Sequence, residues 1–588
     1  MGETIHQIVR QAQTNYTSGT VKIGKYVDIS IYEIIETITA YLNSKHITGD
    51  KDSLGRDKPF FNIVTAAVNV WYRATDLDRK DMILRTDKGR NELAAFLASI
   101  FLQKWMKKNR FGVFLNHWGR TLAQYGSAIV KFVEKGEELI CQVLSWNRVI
   151  IDPIDFEAQP VIEQIYKTPA QLRRMEEYDQ EMVDQLIEAK TTRRNLNNEN
   201  VDNLDEFIEL YQVDGELPIA LLKEPDKRKD KDWKQYVQQF HVISFMADEE
   251  GKFKDFTLYK GKSKPMHLKT DLIEESGRSI AIGAVEHLFD PQWMVNHSKK
   301  AVKDTLDIAS KLLLQSADPS FKDKNLTDAV EAGNIFTHEP NKPLTQINTA
   351  KPDVVSMENF GNSWMVNGKD ITSTPDALRG NTLPSGTPYS LGAYLGEQGS
   401  SLFEIMTENK ALSLEEMLRV WIIPHLKKTM LNNKDELKAE LTDRQIEFID
   451  AIYIPKEAVK RFNDATKEKI LSGMPVSPFN RANAEMQIKN EVATMGKTRT
   501  FTPDDLNWKE VFKDFEWEVD VGITNESSDK KTLLASLSSI IQVIGRLNKG
   551  VLRDKLLGQV GAVSPLELGG APAVEPEVNE ALKTLIPT

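Results

Sequence analysis

The chain has 588 residues, 40% hydrophobic and 27% charged, an ordinary globular composition at a length too great for a single hydrophobic core. Its formal net charge of −11 excludes a whole-surface nucleic-acid binder, which needs basic excess to displace counterions, so any DNA contact must be local or weak. A single cysteine, Cys141, excludes an intrachain disulfide framework and a cysteine-based zinc site.

The start, MGETIHQIVRQAQ, lacks the basic flank and apolar core of a secretory signal, and His6 stands where a myristoylation site wants serine or threonine. No stretch has the length of a membrane span, so a soluble protein made in a cytosol, with no membrane partner, is expected. Gly19 to Tyr26, GTVKIGKY, has phosphate-loop spacing except that Tyr26 occupies the position whose short hydroxyl must reach magnesium. The preceding RQAQTNYTS is also too polar for the strand that such a loop follows.

Residues 30 to 45 place Ile31, Ile34, Ile35, Ile38 and Leu42 at helical spacing behind Ser30, which predicts a capped amphipathic helix. Further helices are predicted over NIVTAAVNVWYRATDL, NELAAFLASIFLQKWMKKN and FGVFLNHWGRTLAQYG, with DMILR as a strand after the first. From Ser127 the period changes toward two. SAIVKFVEKGEELICQVLSWNRVIIDP reads as a hairpin turning at Glu134 to Gly136, then an extended run to Asp152, with Cys141 as a small buried apolar residue. Residues 173 to 206 read as charged helix, and FIELYQV, WKQYVQQFHVISFMA and FKDFTLYKG as strands, with KEPDKRKDKDWK as a solvated loop.

At Gly277 the character changes. A helix is predicted from about Asp290 to Ser316, roughly 40 Å long, with proline in its first turn and an apolar stripe of Val295, Val302, Leu306, Ala309 and Leu313. Lys299, Lys300, Lys303 and Lys311 fall mostly off that stripe and by themselves read as a solvated face. A region of short strand and turn follows, and then DVVSMENFGNSWMVNGKDITSTPDALRG reads as a second helical arm, weakened by Gly361 and Gly368.

RGNTLPSGTPYS, residues 379 to 390, is a polar, turn-rich loop that on its own reads as a surface turn. A helical segment of about forty residues follows it, with breaks expected near Ala411 and at Pro424. The last third is predicted as helices with one clear strand, FEWEVDVGIT, then a capped helix in ESSDKKTLLASLSSIIQVIGRLN and a loosely held end rich in proline and glycine.

Chemistry is sparse along this chain. Nine histidines form no H-E-x-x-H or H-x-H pair, and there is no G-x-S-x-G elbow. His297 and His338 read as surface residues, and spacing singles out no catalytic pair among 86 carboxylates. Neither enzymatic activity nor a metal or other cofactor is expected.

Three stretches, in order, resemble the portal proteins of tailed double-stranded DNA bacteriophages: GRSIAIGAVEHLFDPQWMVNHSKKAVKDTLD, TPDALRGNTLPSGTPYSLGAYLGEQGSSLFEIMTE and VDVGITNESSDKKTLLASLSSIIQVI. The likeness rests on Gly277-Arg278 ahead of a Gln-x-x-x-Asn helix start, Gln292 to Asn296, and on Leu378-Arg379-Gly380 ahead of a polar turn ending at Tyr389. It implies an α+β, helix-rich portal fold with residues 1–275 as the first part of the wing, 276–317 as stem helix 1 and 318–352 as the clip. Residues 353–378 are then stem helix 2, 379–391 the tunnel loop, 392–470 the long helix and remainder of the wing, and 471–588 the crown and tail.

The resemblance further implies a homododecameric ring at one capsid vertex of the virion, assembled in the host cytoplasm, through which DNA is packaged and ejected. The implied channel residues are Arg379, Asn381, Thr382, Ser385, Thr387 and Tyr389 of the loop. Gln292, Asn296, Lys299, Lys300, Lys303 and Lys311 are implied on a polar, cationic face of the stem. Implied partners are further copies of the chain, the DNA duplex, the large terminase subunit, head-tail adaptor proteins and the major capsid protein. A channel that passes DNA without gripping it suits an acidic subunit, and amphipathic stem helices offer long faces for ring contacts. Two other readings stay open: a nucleotide-hydrolysing packaging enzyme using Gly19 to Lys25, and a different head-tail connector or tail protein.

Overall fold

The computed structural model describes residues 4–53, 55–77, 82–85, 92–136, 138–196, 207–224, 227–247, 253–309, 314–319, 339–342, 345–346, 354–374, 389–432, 437–440, 443–472, 475, 481–494, 498–501 and 518–521. The polar RQAQTNYTS, too polar for a strand ahead of a phosphate loop, lies in helix α1 (Ile5–Ser18). Its start is a reciprocal cap: Gln7 N–H donates to Thr4 Oγ1 (3.3 Å) and Thr4 N–H to Gln7 Oε1 (2.9 Å). Ile5, Val9, Ala12 and Tyr16, three or four residues apart, form its buried line.

Strands β1 (Val21–Ile23) and β2 (Val27–Ile29) make a hairpin, and α2 (Ile31–Leu42) follows with Ser30 Oγ accepting from Glu33 N–H at 3.3 Å, as predicted. Helix α3 (Val64–Ala74), strand β3 (Met82–Arg85), and helices α4 (Glu92–Lys108) and α5 (Phe111–Tyr125) also fall where periodicity places them. Trp71, Leu102, Met106, Phe111 and Trp118 from these helices meet in the largest apolar core. Burying Leu102, Met106 or Phe111 completely contributes about 1.5–3 kcal/mol each.

Strands β4 (Ser127–Lys135) and β5 (Glu138–Val143) form the expected hairpin, but Glu134 and Lys135, expected in the turn, are paired in the ladder with Leu139 and Glu138. After β6 (Val149–Ile150) and β7 (Val161–Lys167) come two helices, α6 (Pro169–Arg173) and α7 (Gln180–Leu196). Three long strands follow, β8 (Ile208–Pro218), β9 (Tyr236–Ala247) and β10 (Phe253–Lys262), completing an antiparallel sheet in the order β10-β9-β8-β7-β6. Alternation sorts its two faces: Tyr211, Val213 and Ile243 meet α1, while Ile208, Leu210, Val242 and Phe256 meet α6 and α7.

Strand β11 (His267–Asp271) returns to β4 and makes a second sheet, β11-β4-β5. A buried polar junction joins the two sheets. Lys131 of β4 reaches Glu163 (2.6 Å) and Gln212, and Asp214 accepts from His267 Nδ1 (2.8 Å), Gln238 Nε2 (3.0 Å), Ser263 Oγ (3.2 Å) and Met266 N–H (3.2 Å). Both acids are matched by donors, as burial demands.

Helix α8 (Phe289–Ala309) starts where expected but is shorter, about 32 Å, and Leu314–Gln315 is a strand, β12, rather than the end of the helix. It pairs with β13 (Thr345–Gln346), tying the chain between them at its base. Helix α9 (Val354–Ile371) lies against α8, and α10 (Tyr389–Met417) runs through Ala411 without the predicted break. The irregularity comes later, at Leu418–Ile422, a π turn in which Ile423 N–H bonds Leu418 O. Pro424 follows in α11 (Ile423–Asn432), where it has no N–H to give and the wider turn accommodates its ring.

Helices α12 (Asp443–Leu471) and α13 (Arg481–Thr494) meet through Ala458, Ile488 and Val492. Strand β14 (Leu437–Glu440) pairs with β15 (Thr498–Phe501), and β16 (Glu518–Val521) pairs with β3. A strand expected in the crown thus pairs with one expected in the wing. Helix outweighs strand and the sheets are antiparallel, so the class is α+β and helix-rich. The helix expected in ESSDKKTLLASLSSIIQVIGRLN, the chain's last residues and most of the expected clip lie outside the described residues.

Candidate functional site

The Gln-x-x-x-Asn start of α8 lies against the segment that leads into α3. Gln292 and Asn296, one turn apart, share a face and are both buried. Gln292 Oε1 accepts from Ile63 N–H (2.9 Å), and its Nε2 donates to Phe61 O (2.7 Å) and Asn296 Oδ1 (3.1 Å). Asn296 Oδ1 also accepts from Phe61 N–H (2.9 Å). Ile63, at the N-cap of α3, offers no side-chain acceptor, so Asn62 Oδ1 takes Thr65 N–H (3.0 Å) while Gln292 holds the cap's own N–H. The pair, implied by the resemblance on a polar face of the stem, is buried within the chain and clamps the start of α3.

The lysines of α8 are engaged within the chain. Lys299 stands 5.8 Å from the centre of the Phe61 ring and 3.9 Å from Glu358, and Lys300 pairs with Asp304 and stands 3.9 Å from Asp52. Lys303, exposed, donates to Asp57 O (3.1 Å), and Lys311 lies outside the described residues. Arg278 of the Gly-Arg motif is buried; it donates to both Glu286 oxygens (2.7 and 2.9 Å) and to Ile280 O (2.6 Å), which fixes the turn feeding α8.

Close approach between α8 and α9 depends on two glycines. A Cβ on Gly361 would stand 3.1 Å from Ser298 Cβ, and one on Gly368 would stand 3.0 Å from Leu288 Cδ2 and 3.3 Å from Pro291 Cβ. Because 361 meets 298 while 368 meets 291, the helices run antiparallel. The residues that weaken α9 in isolation are those that let it dock. Past its end Thr372 O accepts from Trp71 Nε1 of α3 (2.9 Å), and Thr372 Oγ1 donates to Gly368 O (2.7 Å).

Arg379, Asn381, Thr382, Ser385 and Thr387 lie outside the described residues, and Tyr389 is the first residue of α10. On that far side of the loop, α10 turns Phe403, Met406 and Lys410 toward α3 and α5. Lys410 is 2% exposed; its Nζ donates to Thr75 O (2.6 Å), just past the end of α3, and lies 5.4 Å from the centre of the Trp118 ring. The cation meets the negative end of the α3 dipole. Burial nevertheless lowers its pKa to about 8, against the pull of Asp76.

Helix α3 is therefore held at its start by α8, through Trp71 by the end of α9, and at its end by α10. These three helices share one short anchor. Sequence reasoning missed Trp71, Thr372 and Lys410 in these roles, although Lys410 carries a signal: it falls on the apolar line of Phe403, Met406, Leu414 and Met417, where an unpartnered cation has no place.

Gly19 to Tyr26 belongs to the β1–β2 hairpin, with Gly24 at φ +68° in its turn, so no helix start follows to gather a phosphate. Tyr26 is 87% exposed, and Lys25 Nζ lies 5.4 Å from the centre of its ring. Cys141 is half-buried, its thiol pushed up to about 12 by burial. His297 is exposed, stacked on Trp293, and His338 lies outside the described residues. Among the described residues no three His, Cys, Asp or Glu side chains could together hold a metal ion, and no helix is long and apolar enough to cross a membrane. No protein-family model matches the chain, and no curated protein matches it.

Proposed function

We propose that the chain is the ring-forming portal subunit of a tailed bacteriophage. In this reading α8 and α9 are the paired stem helices, the segment tied by β12 and β13 is the clip, residues 379–391 line the bore, and α10 is the long helix of the wing. The observation that carries the reading is that an antiparallel helix pair and a long helix, which in sequence flank a polar stretch, are all three anchored on one short helix, α3. In this reading the hydroxyls and amides of the loop are left for a passing duplex. A duplex in transit needs a wet sleeve of that kind rather than a strong phosphate grip.

On this reading Arg379, Asn381, Thr382, Ser385 and Thr387 face the DNA, and copies associate through heterologous contacts that close into a ring. The large terminase subunit, head-tail adaptors and the major capsid protein dock on that ring, and the chain guides DNA rather than catalysing a reaction. Negative-stain images of the purified protein are expected to show rings with a central hole. Compact solitary particles under every assembly condition overturn the reading, and ATP turnover abolished by Lys25→Ala would favour the packaging-enzyme alternative instead.

A further inference from the structure

In a chain that carries 86 acidic residues, the stretch from Leu93 to Val133 contains no aspartate or glutamate, while it holds Lys104, Lys107, Lys108, Arg110, Arg120 and Lys131. Lys131 is spent inside, on Glu163 and Gln212. The other five are exposed, and four of them, Lys104, Lys107, Lys108 and Arg110, lie in the last turns of α4 or at the corner where α5 begins. Lys107 and Lys108 sit in the last turn of α4, where the helix dipole favours cations, but that does not account for Arg110 or Arg120. Arg110 is the residue at the corner itself, and Arg120 lies ten residues on, at the far end of an exposed stripe that also carries Val113 and His117. The stripe is about 15 Å long at ~1.5 Å per residue.

We propose that this corner binds the phosphate backbone of a nucleic-acid duplex without reading its sequence. Two features favour a polyphosphate over an acidic protein. The exposed side chains are Lys, Arg, His, Asn and Gln with Val113 as the one exposed large apolar residue, whereas a protein interface needs a desolvated apolar centre. Two carboxylates flank the area: Glu138 of β5 stands 3.2 Å from Lys108, and Asp76 lies near the Arg120 end, where Asp76 and Arg120 both act on Tyr72. They bound the cationic area without pairing with Lys107, Arg110 or Arg120. Among the described residues no salt bridge engages Lys107, Arg110 or Arg120, so their charges are not already neutralised.

The inference goes beyond the ring and does not depend on it, since a solitary chain can show the binding and a ring can lack it. The test measures fluorescence anisotropy of a labelled, random-sequence DNA duplex with the full chain across a salt series. Wild type is expected to bind with strong salt dependence. The variant K107E/R110E/R120E is expected to bind more than about tenfold more weakly, with the slope of log affinity against log salt reduced by about three. A variant with the same charge change elsewhere, K22E/K25E/K234E, is expected to match wild type. In wild-type protein, duplex is also expected to protect Lys107 and Lys108 from acetylation, a readout that needs no variant to fold. Unchanged binding in the corner variant, equal loss in the control variant, absence of protection, or displacement of duplex by polyglutamate as effective as by unlabelled duplex each overturns the proposal.

Discussion

At the start of α3 two neutral amides meet backbone groups one for one, while at its end a single ammonium is taken out of water to reach one carbonyl and an aromatic ring. Both contacts join elements more than 200 residues apart in the chain, and both leave a buried backbone group unsatisfied if removed. They differ in what they ask of the solvent. The amides have no charge to desolvate and act alike at any pH, so they specify position. Lys410 sets a dipole and a ring against the loss of hydration, so its contribution depends on whether it carries its proton.

That contrast can be broken at Lys410 first. Lys410→Ala empties a site beneath Trp118 and strips Thr75 O of its donor, an expected loss of about 3–5 kcal/mol in denaturant unfolding. Lys410→Met keeps most of the volume without the charge and is expected to lie within about 1 kcal/mol of wild type at neutral pH. Equal losses in both variants would mean that the ammonium, rather than the packing of its stem, supplies most of the stabilisation.

The pH dependence sharpens the same point. With a folded pKa of about 8 against an ordinary 10.5, the unfolded chain holds this proton more tightly than the folded one. Stability from this group is therefore fully present above 10.5 and is lost as pH falls through 8, a difference on the order of 3 kcal/mol. Wild type should gain stability relative to Lys410→Met between those limits, and parallel curves would remove the premise.

The amide clamp should give smaller, pH-independent effects. Gln292→Ala leaves Ile63 N–H without its partner and removes a donor from Phe61 O, for an expected loss of about 2–3 kcal/mol. Asn296→Ala, which strips Phe61 N–H and one of the two acceptors of Gln292 Nε2, is expected to lose about 1–2 kcal/mol. A slope with pH in either variant would mean that the two ends of α3 are coupled through the helix.

Much of the secondary structure was legible because burial imposes a period. Ile31 to Leu42 and Phe111 to Leu122 show the helical repeat, and the β4–β5 hairpin shows alternation. Strands β7 and β11 were not legible, since VIEQIYK and HLKTD mix charge into short runs and owe their place to ladder partners far along the chain. The roles of Gln292 and Asn296 were equally hidden. A buried amide pair and a wet channel face use the same residue types at the same spacing, and only Phe61 and Ile63, 229 or more residues away, tell them apart. Gly361 and Gly368 were read as a weakness because propensity is local, whereas their use is in contact with α8.

The π turn at Leu418–Ile422 gives the rod of α10 and α11 one residue more than an unbroken α-helix joining the same two faces would hold. Deleting one residue there would restore a continuous ladder and leave the sides bearing Leu414 and Leu426 pointing as before, but it would also press the Pro424 ring onto the carbonyl four positions back. Shortening and proline replacement are thus an epistatic pair: a lineage carrying this chain can discard the extra residue only together with Pro424 or after it.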